Sequence, residues 1–386
     1  MFLLFSFSFC MADYESLFYE VALSLVPQVG AKSAKALFAH FGSAREVFEP
    51  KAAREVAHFS GLAQAAEISK RLQQEKDSFF SKTEKILRQA AQNQVEIICY
   101  TENRYPKRLL NSHNPPFLLY YKGKADLNPP KSVAIVGTRQ ASEYGRNLTA
   151  EIVADLQPYQ PLVVSGLAYG IDIEAHKKAL QVGLPTVAVM ANGLDKIYPA
   201  LHRPTAQAMI EEGGLLTEDT FGVTAQPTRF PQRNRIIAAL ADVVIVVEAA
   251  QKGGALITAH LANDYNREVF AVAGRITDPS SAGCNHLIKT HKAHLYTGIE
   301  DIEYILKWDM DKMARPSHNL ILFDNLTQEE KRIAAQLKEA GNTLHIDEIA
   351  LRTELPLNRL ASVLVEMEMK DYIKALPGKK FLWRGH

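Results

Sequence analysis

The chain has 386 residues, is 47 % hydrophobic and carries a formal net charge of +1. That is enough apolar material for one large core with one or two small satellites, and it supplies no global field that would attract nucleic acid. Three cysteines (Cys10, Cys99, Cys284) without CxxC spacing argue against a disulfide framework or a zinc site and fit a reducing cytoplasm.

The first ten residues, MFLLFSFSFC, have the look of a short signal h-region. No basic residue precedes the run, no small-residue cleavage pattern separates it from MADYE, and ten residues are too few to span a bilayer. The reading is an over-long start with Met11 as the natural first residue. Nothing else approaches transmembrane length, so a soluble protein is expected.

Residues 11–90 read as a helical domain. Residues 26–42 (VPQVGAKSAKALFAHFG) hold an apolar turn with Gly30 and then a small-residue-rich helix, and residues 58–72 partly repeat this around Gly61. The pair is similar to helix-hairpin-helix (SAM-like) units, whose glycine turn can present amides to a phosphate. A packing module that binds nothing fits the residues equally well. VEIICY (95–100) and PFLLYYKGK (116–124) read as strands, separated by loops at Asn114-Pro115-Pro116 and Asn128-Pro129-Pro130.

From Lys131 the pattern alternates between strand and helix. The strands read as 132–137, 161–166, 185–191, 214–218, 242–249 and 268–274, which predicts an α/β fold with a doubly wound, mostly parallel sheet over residues 91–298. Residues 299–316, with an acidic connector and ARPSHN (314–319), read as a linker. Residues 317–386 read as a winged helix: a helix capped by Thr327 with Glu330 completing a capping box, a helix–turn–helix, and a wing around Pro377-Gly378. This last segment holds 10 Lys+Arg against 10 Asp+Glu. Its presumed recognition helix, 356–370, offers Arg359 and Lys370 but also Glu366 and Glu368, a poor surface for phosphates.

The chemistry concentrates in residues 131–298, where 15 Lys+Arg balance 15 Asp+Glu. Any anion site there must be a local patch made by folding. FPQRNRIIAALADVVIVVEA, residues 230–249, places Arg233 and Arg235, with Arg229 just ahead, before a buried strand that ends in Glu248. Guanidiniums at strand ends lie where open α/β sheets bind ligands, and their fork geometry suits phosphate. VAIVGTRQASEYG (133–145) sets Arg139 in the turn after the first strand, but lacks GxGxxG spacing, so dinucleotide binding is disfavoured. In VVSGLAYGIDIEAH (163–176), Gly166 and Gly170 allow close backbone approach, Asp172 suits the N-cap or first turn of the next helix, and His176 shares its face. With no nucleophile beside them, capping and packing outweigh a general-base pair. GLDKIYP supplies Lys196 and Tyr198, cation and aromatic together, as a single-stranded nucleic-acid groove uses, while a loop tyrosine packed against the Pro199 turn fits Tyr198 equally well. GGALITAHLA (253–262) opens another helix with glycines.

VGTR, SGLAYGIDIEAH, GLDKIYP, FPQRNRIIAAL, IVVEA, LITA, REVFAVAG and SAGCNHLI, in this order, closely resemble the bacterial DNA-processing protein A family (DprA, also called Smf). The resemblance covers 131–298 densely, and the helical start and winged-helix end are similar to flanking domains of many members. It implies an extended Rossmann domain that binds single-stranded DNA, dimerises, and loads the RecA recombinase, without cofactor, metal or catalysis, in the cytoplasm. By motif, the DNA-contacting residues would be Arg139, Ser165, Gly166, Lys196, Tyr198, Arg233, Asn234 and Arg235. Two departures stand out. The family's SGSLITA is GGALITA here, which removes hydroxyls at Gly253 and Ala255, and the proline of its VPG is Ala273. The alternative is a nucleotide-processing enzyme of the lysine-decarboxylase-like phosphoribohydrolase type, whose PGGxGT loop is not matched. A pure interaction scaffold is a third possibility. P-loop chemistry is excluded by the absence of GxxxxGK[ST].

Overall fold

The computed structural model describes residues 11–308, 327–340, 343–369, 372–376 and 378–383. The apolar first ten residues, ARPSHN and Pro377 lie outside the described residues. The chain forms two compact units, the first ending at Trp308 and the second beginning at Asp309.

The first unit is built on a nine-stranded sheet. Its strands are β1 (Glu96–Cys99), β2 (Leu118–Gly123), β3 (Ser132–Val136), β4 (Leu162–Ser165), β5 (Thr186–Val189), β6 (Gly214–Thr217), β7 (Val243–Val246), β8 (Glu268–Val272) and β9 (His294–Tyr296). Their spatial order is β1-β2-β6-β5-β4-β3-β7-β8-β9. From β6 to β9 every pairing is parallel. Strands β3 to β7 are buried along their whole length, which is why they read as unbroken apolar runs rather than alternating ones. The α/β expectation therefore holds. The chain runs outward from β3 through β4, β5 and β6 on one side, and through β7, β8 and β9 on the other. The order reverses between β3 and β7, and that switch point is where doubly wound sheets open a crevice.

VEIICY and PFLLYYKGK do form strands. They extend the sheet antiparallel, β1 on β2 and β2 on β6. The amino-terminal helices pack on this extension, and a single apolar cluster runs from Leu37, Phe48 and Phe79 into Ile97, Leu118 and Tyr120. The expected Gly30 turn is the N-cap of helix Ala31–Phe41, which Gly42 closes in the left-handed region at φ 85°. β9 has no sequence signature, because His294 and Leu295 are exposed and only Tyr296 is buried.

Residues 299–308, placed in a linker by sequence, instead include the helix Ile299–Leu306 packed on the first unit. Tyr159 donates a hydrogen bond to Glu303, the Trp308 ring lies 5.8 Å from that of Tyr159, and Lys131 sits 5.3 Å from both ring centres. The second unit has helices Gln328–Glu339, Ile346–Thr353 and Leu357–Met369 beside strands β10 (Thr343–His345), β11 (Ile373–Leu376) and β12 (Lys380–Trp383), ordered β10-β12-β11. The capping box forms as expected: the Thr327 amide donates to Glu330 and the Glu330 amide to the Thr327 hydroxyl. The wing is the β11–β12 pair, with Gly378 at φ 83°.

Arg108 staples the sheet from its lower edge. Its Nε and Nη2 donate to both oxygens of Asp242, at 2.7 and 2.8 Å, and Asp242 also accepts from the Ser132 amide at 2.9 Å. The same guanidinium donates to the Pro129 carbonyl at 2.7 Å, which pins the proline loop at the start of β3. Both side chains are less than a third exposed, so each bond retains much of its charge-assisted strength. Asp242→Ala should lower stability by about 2–3 kcal/mol in urea unfolding, with Arg108→Ala nearly non-additive in the double variant. Additive losses would show that the pair does not act as one staple.

Candidate functional site

A cleft of about 400 Å³ opens at the switch point. One wall is the loop after β3, with Gly137, Thr138, Arg139 and Gln140. The other is the loop after β7, with Ala249, Ala250, Lys252 and Gly253, leading into helix Gly254–Asp264. The helix Arg229–Leu240 forms the floor through Phe230, Arg233, Asn234 and Ile237, and Ala168 and Asp172 close one end.

Two buried charges hold the walls in place. Glu248, at the end of β7, is 3 % exposed. Its carboxylate accepts from the Ser142 amide at 3.0 Å and from the Ser142 hydroxyl at 2.5 Å, and its own carbonyl accepts from the Thr138 amide at 2.7 Å. Ser142 in turn accepts from the Gly145 amide and caps the next helix. A side chain at Gly145 would overlap Glu248, since a Cβ there would lie 2.3 Å from its carboxylate. Arg233 is the second clamp. It donates through Nη1 to the Gly166 carbonyl at 2.7 Å and also to the Val189 carbonyl, joining the ends of β4 and β5. Gly166 is required here, because a Cβ would lie 2.3 Å from the guanidinium.

The buried Arg233 has Asp172 as its nearby opposite charge. Desolvation pulls the guanidinium down to about 10, partly offset by Asp172, so it stays charged at neutral pH. The same burial raises the Asp172 carboxyl above its usual range, and Arg233 opposes that rise. Asp172 lies in the first turn of helix Ile171–Gln181, accepts from the Ala168 amide at 3.4 Å, and leaves the N-cap position to Gly170.

Above this floor stand the exposed groups. Arg139 lies over the Phe230 ring at 4.7 Å, and the ring of Tyr198, itself 50 % exposed, is 6.1 Å from that of Phe230. Lys252 is exposed on the opposite wall. Helix Gly254–Asp264 begins at Gly253 with no side-chain cap and no acid in its first turn, so its leading amides and dipole face the cleft uncancelled by carboxylate.

The sequence-predicted residues divide accordingly. Arg139, Arg233 and Asn234 line the cleft. Ser165 does not: it is fully buried and its hydroxyl donates to the Ile135 carbonyl at 2.6 Å. Gly166 is buried as the space for Arg233. Lys196 and Tyr198 are exposed and outside the lining, and Tyr198 reaches it through its ring contact with Phe230. Arg235 is turned away, against the expectation that it shares the ligand edge with Arg139. Two residues along a helix rotate a side chain by about 200°, so Arg235 leaves the face of Arg233. It is bound to Glu218 and to the Asn114 carbonyl. Sequence reading missed Phe230, read only as the start of a motif, and Lys252; the aromatic directly before Pro231 and three residues before Arg233 was the available signal. The Asp172/His176 pair does not form. Thr186 gives its hydroxyl hydrogen to Val163, so His176 Nδ1–H donates to Thr186 at 2.7 Å, and His176 Nε2 is buried without a partner. Among the described residues no group of three or more His, Cys, Asp or Glu is placed to hold a metal ion, and no helix is long and apolar enough to cross a membrane.

Comparison with known proteins follows the same division of the chain. Residues 96–307 match the model of DNA recombination-mediator protein A, and residues 323–379 match the DprA winged helix domain. Protein Smf of Escherichia coli is 35 % identical over 276 residues, 71 % of this chain and 74 % of the relative. DNA processing protein DprA of Streptococcus pneumoniae is 41 % identical over 200 residues, 51 % of this chain and 70 % of the relative. Its X-ray structure superposes with a TM-score of 0.64 at 32 % identity, covering 74 % of this chain and 96 % of that one. The Helicobacter pylori DNA processing protein A, solved for its single-stranded DNA binding mode, superposes with a TM-score of 0.51 at 31 % identity over 55 % of this chain and 96 % of that one.

Burial under the cleft floor also predicts an acid sensitivity. Desolvation lowers His176 from 6.5 to about 3, so the folded protein keeps it neutral while the unfolded chain protonates it. Stability therefore falls as pH drops below about 6.5, by about 1.4 kcal/mol per pH unit from this one group, and is fully present above it. His176→Asn keeps a donor toward Thr186 and removes the titration. Urea unfolding across pH 4.5–8 should show a flatter acid limb for the variant; an identical limb would reject the assignment.

Proposed function

This chain belongs to the DNA recombination-mediator protein A family, and from that premise we propose that it binds single-stranded DNA without catalysis. We further propose that, as a cytoplasmic homodimer, it helps to load the RecA recombinase in natural transformation or recombination. The observation that carries the binding reading is the line Arg139–Phe230–Tyr198 along the cleft, facing Lys252 and the uncapped helix start at Gly253. Cations and helix amides serve phosphates, while aromatic faces serve unstacked bases. A duplex buries its base faces, so the same arrangement favours single strands with little sequence preference.

The non-catalytic reading is supported by where the acids and bases lie. Asp172 and His176 are buried, His176 is bonded to Thr186, and Glu248 is occupied by Ser142. Among the described residues the one carboxylate lining the cleft with Gly253-Gly254 is Asp172, which is 7 % exposed and faces the charge of Arg233, and this disfavours the phosphoribohydrolase alternative. RecA loading and dimerisation rest on the family likeness.

Titration of fluorescent oligothymidine tests the site. Arg139→Ala and Lys252→Ala should each weaken binding and flatten its log–log salt dependence by about one ion, whereas Arg235→Ala should leave the slope unchanged. Phe230→Ala should cost about 1–3 kcal/mol at constant slope. Wild-type affinity in both Arg139→Ala and Lys252→Ala, or tighter binding of blunt duplex than of oligothymidine, would refute the proposed interface.

The winged helix is proposed as an accessory rather than the DNA reader. On its helix Leu357–Met369, Arg359 is spent on Glu329, with Nη2 at 2.8 Å from the carboxylate, and Glu366 shares the exposed surface. A protein ending at Arg315 should retain most of the oligothymidine affinity. Loss of most affinity on truncation, together with tight binding by residues 317–386 alone, would reverse the assignment.

A further inference from the structure

We propose that Tyr169 forms an additional nucleobase subsite at the rim of the cleft, extending the DNA track beyond Phe230 and Tyr198. The inference rests on the single-stranded DNA reading above. Tyr169 lies in the turn between β4 and the helix Ile171–Gln181, between Ala168 and Gly170, and it is 45 % exposed. Ala168 lines the cleft. Gly170 is packed so closely on the opposite loop that a Cβ would lie 2.2 Å from the Thr138 carbonyl oxygen and 2.8 Å from the Arg139 carbonyl. Tyr169 is thus carried at the foot of the loop that presents Arg139.

The ring is held rather than loose. It meets His202 edge to face, with ring centres 4.9 Å apart and planes at 70°. His202 is 6 % exposed, and its Nδ1–H donates to the Leu167 carbonyl at 2.8 Å, within the same turn. Leu167 is fully buried with φ at 57°, a left-handed conformation that a leucine keeps only where its surroundings fix it. A large half-exposed aromatic fixed by a buried partner offers an open ring surface at little entropic cost, which suits stacking of a base. His202, on which the Tyr169 ring rests, is four residues along the chain from Tyr198, whose ring is 6.1 Å from that of Phe230 at the cleft.

The predicted occupant is one further base of a single strand, bound through its face and without phosphate contact. Oligothymidines of increasing length, titrated by fluorescence anisotropy, should show Tyr169→Ala and Tyr169→Leu each weakened at least about fivefold once the strand is long enough to reach the rim. The shortest strands that bind should be unaffected. Tyr169→Phe should bind as wild type, and the salt slope should be unchanged in all three. The leucine variant keeps apolar contact with His202, so the test survives if Tyr169→Ala folds poorly. Wild-type affinity of Tyr169→Leu at every length, alongside weakened Arg139→Ala, would overturn the subsite and leave the functional reading intact. Wild-type affinity of Arg139→Ala and Lys252→Ala as well would overturn the reading itself. Equal losses in Tyr169→Phe and Tyr169→Leu, or a reduced salt slope, would show that the hydroxyl and not the ring face is used.

Discussion

A guanidinium buried in the floor of the cleft at the switch point is the constraint around which this molecule is arranged. Removing a charge from water costs several kcal/mol, and the cost is bearable only with hydrogen bonds and an opposing charge in place. Arg233 finds its acceptors at the carbonyl ends of β4 and β5, its opposing charge in Asp172, and its space in the missing side chain of Gly166. Those three conditions fix the turn after β4 and the helix Arg229–Leu240 relative to the sheet. Glu248 does the complementary work across the switch point, tying the loop that carries Arg139 to the end of β7.

The charges of the site therefore fall into two populations. Arg233, Asp172 and Glu248 are buried and partnered, and they set geometry. Arg139 and Lys252 are exposed on walls that geometry has placed, and they are free to meet an anion. A segment with no net charge can thus present a locally positive cleft: of the described residues that line it, the one acid, Asp172, is buried near Arg233, while Arg139, Lys252 and a helix start remain outward, and Glu218 is held by Arg235. Phe230 belongs to both populations, since it lies 5.9 Å from the buried Arg233 guanidinium and 4.7 Å from the exposed one of Arg139.

The amino-terminal helices join this frame through the antiparallel extension of the sheet rather than as an independent core. Phe38 packs on Tyr100 at 5.9 Å and Lys35 lies over the same ring at 4.6 Å, so helix and strand share an interior. Burial in that contact lowers the Lys35 ammonium to about 8. The winged helix, in contrast, has its own small interior of Ile333, Leu337, Leu344, Leu360, Leu364 and Trp383.

The sequence by itself determined the parallel sheet, because strands buried on both faces must be written as unbroken β-branched runs, and β3, β4, β5 and β7 are. It also determined the capping box at Thr327 and the glycines of the tight turns, since these are local demands of backbone geometry. What it could not determine was which of several adjacent cations lines the cleft. Arg233 and Arg235 lie two residues apart in one motif, yet helical rotation buries the first beneath the cleft and turns the second to Glu218. Ser165 and Gly166 read as contacts and are instead structural, one hydroxyl given to Ile135 and one side chain left out for Arg233. Phe230 acquires its place only when the ends of β3 and the Arg229–Leu240 helix are brought together. Pattern along a chain records burial and backbone conformation, which are set by nearest neighbours. Direction toward a shared cleft is set by contacts between residues about a hundred positions apart, such as Arg139 and Phe230, and only the folded chain decides it.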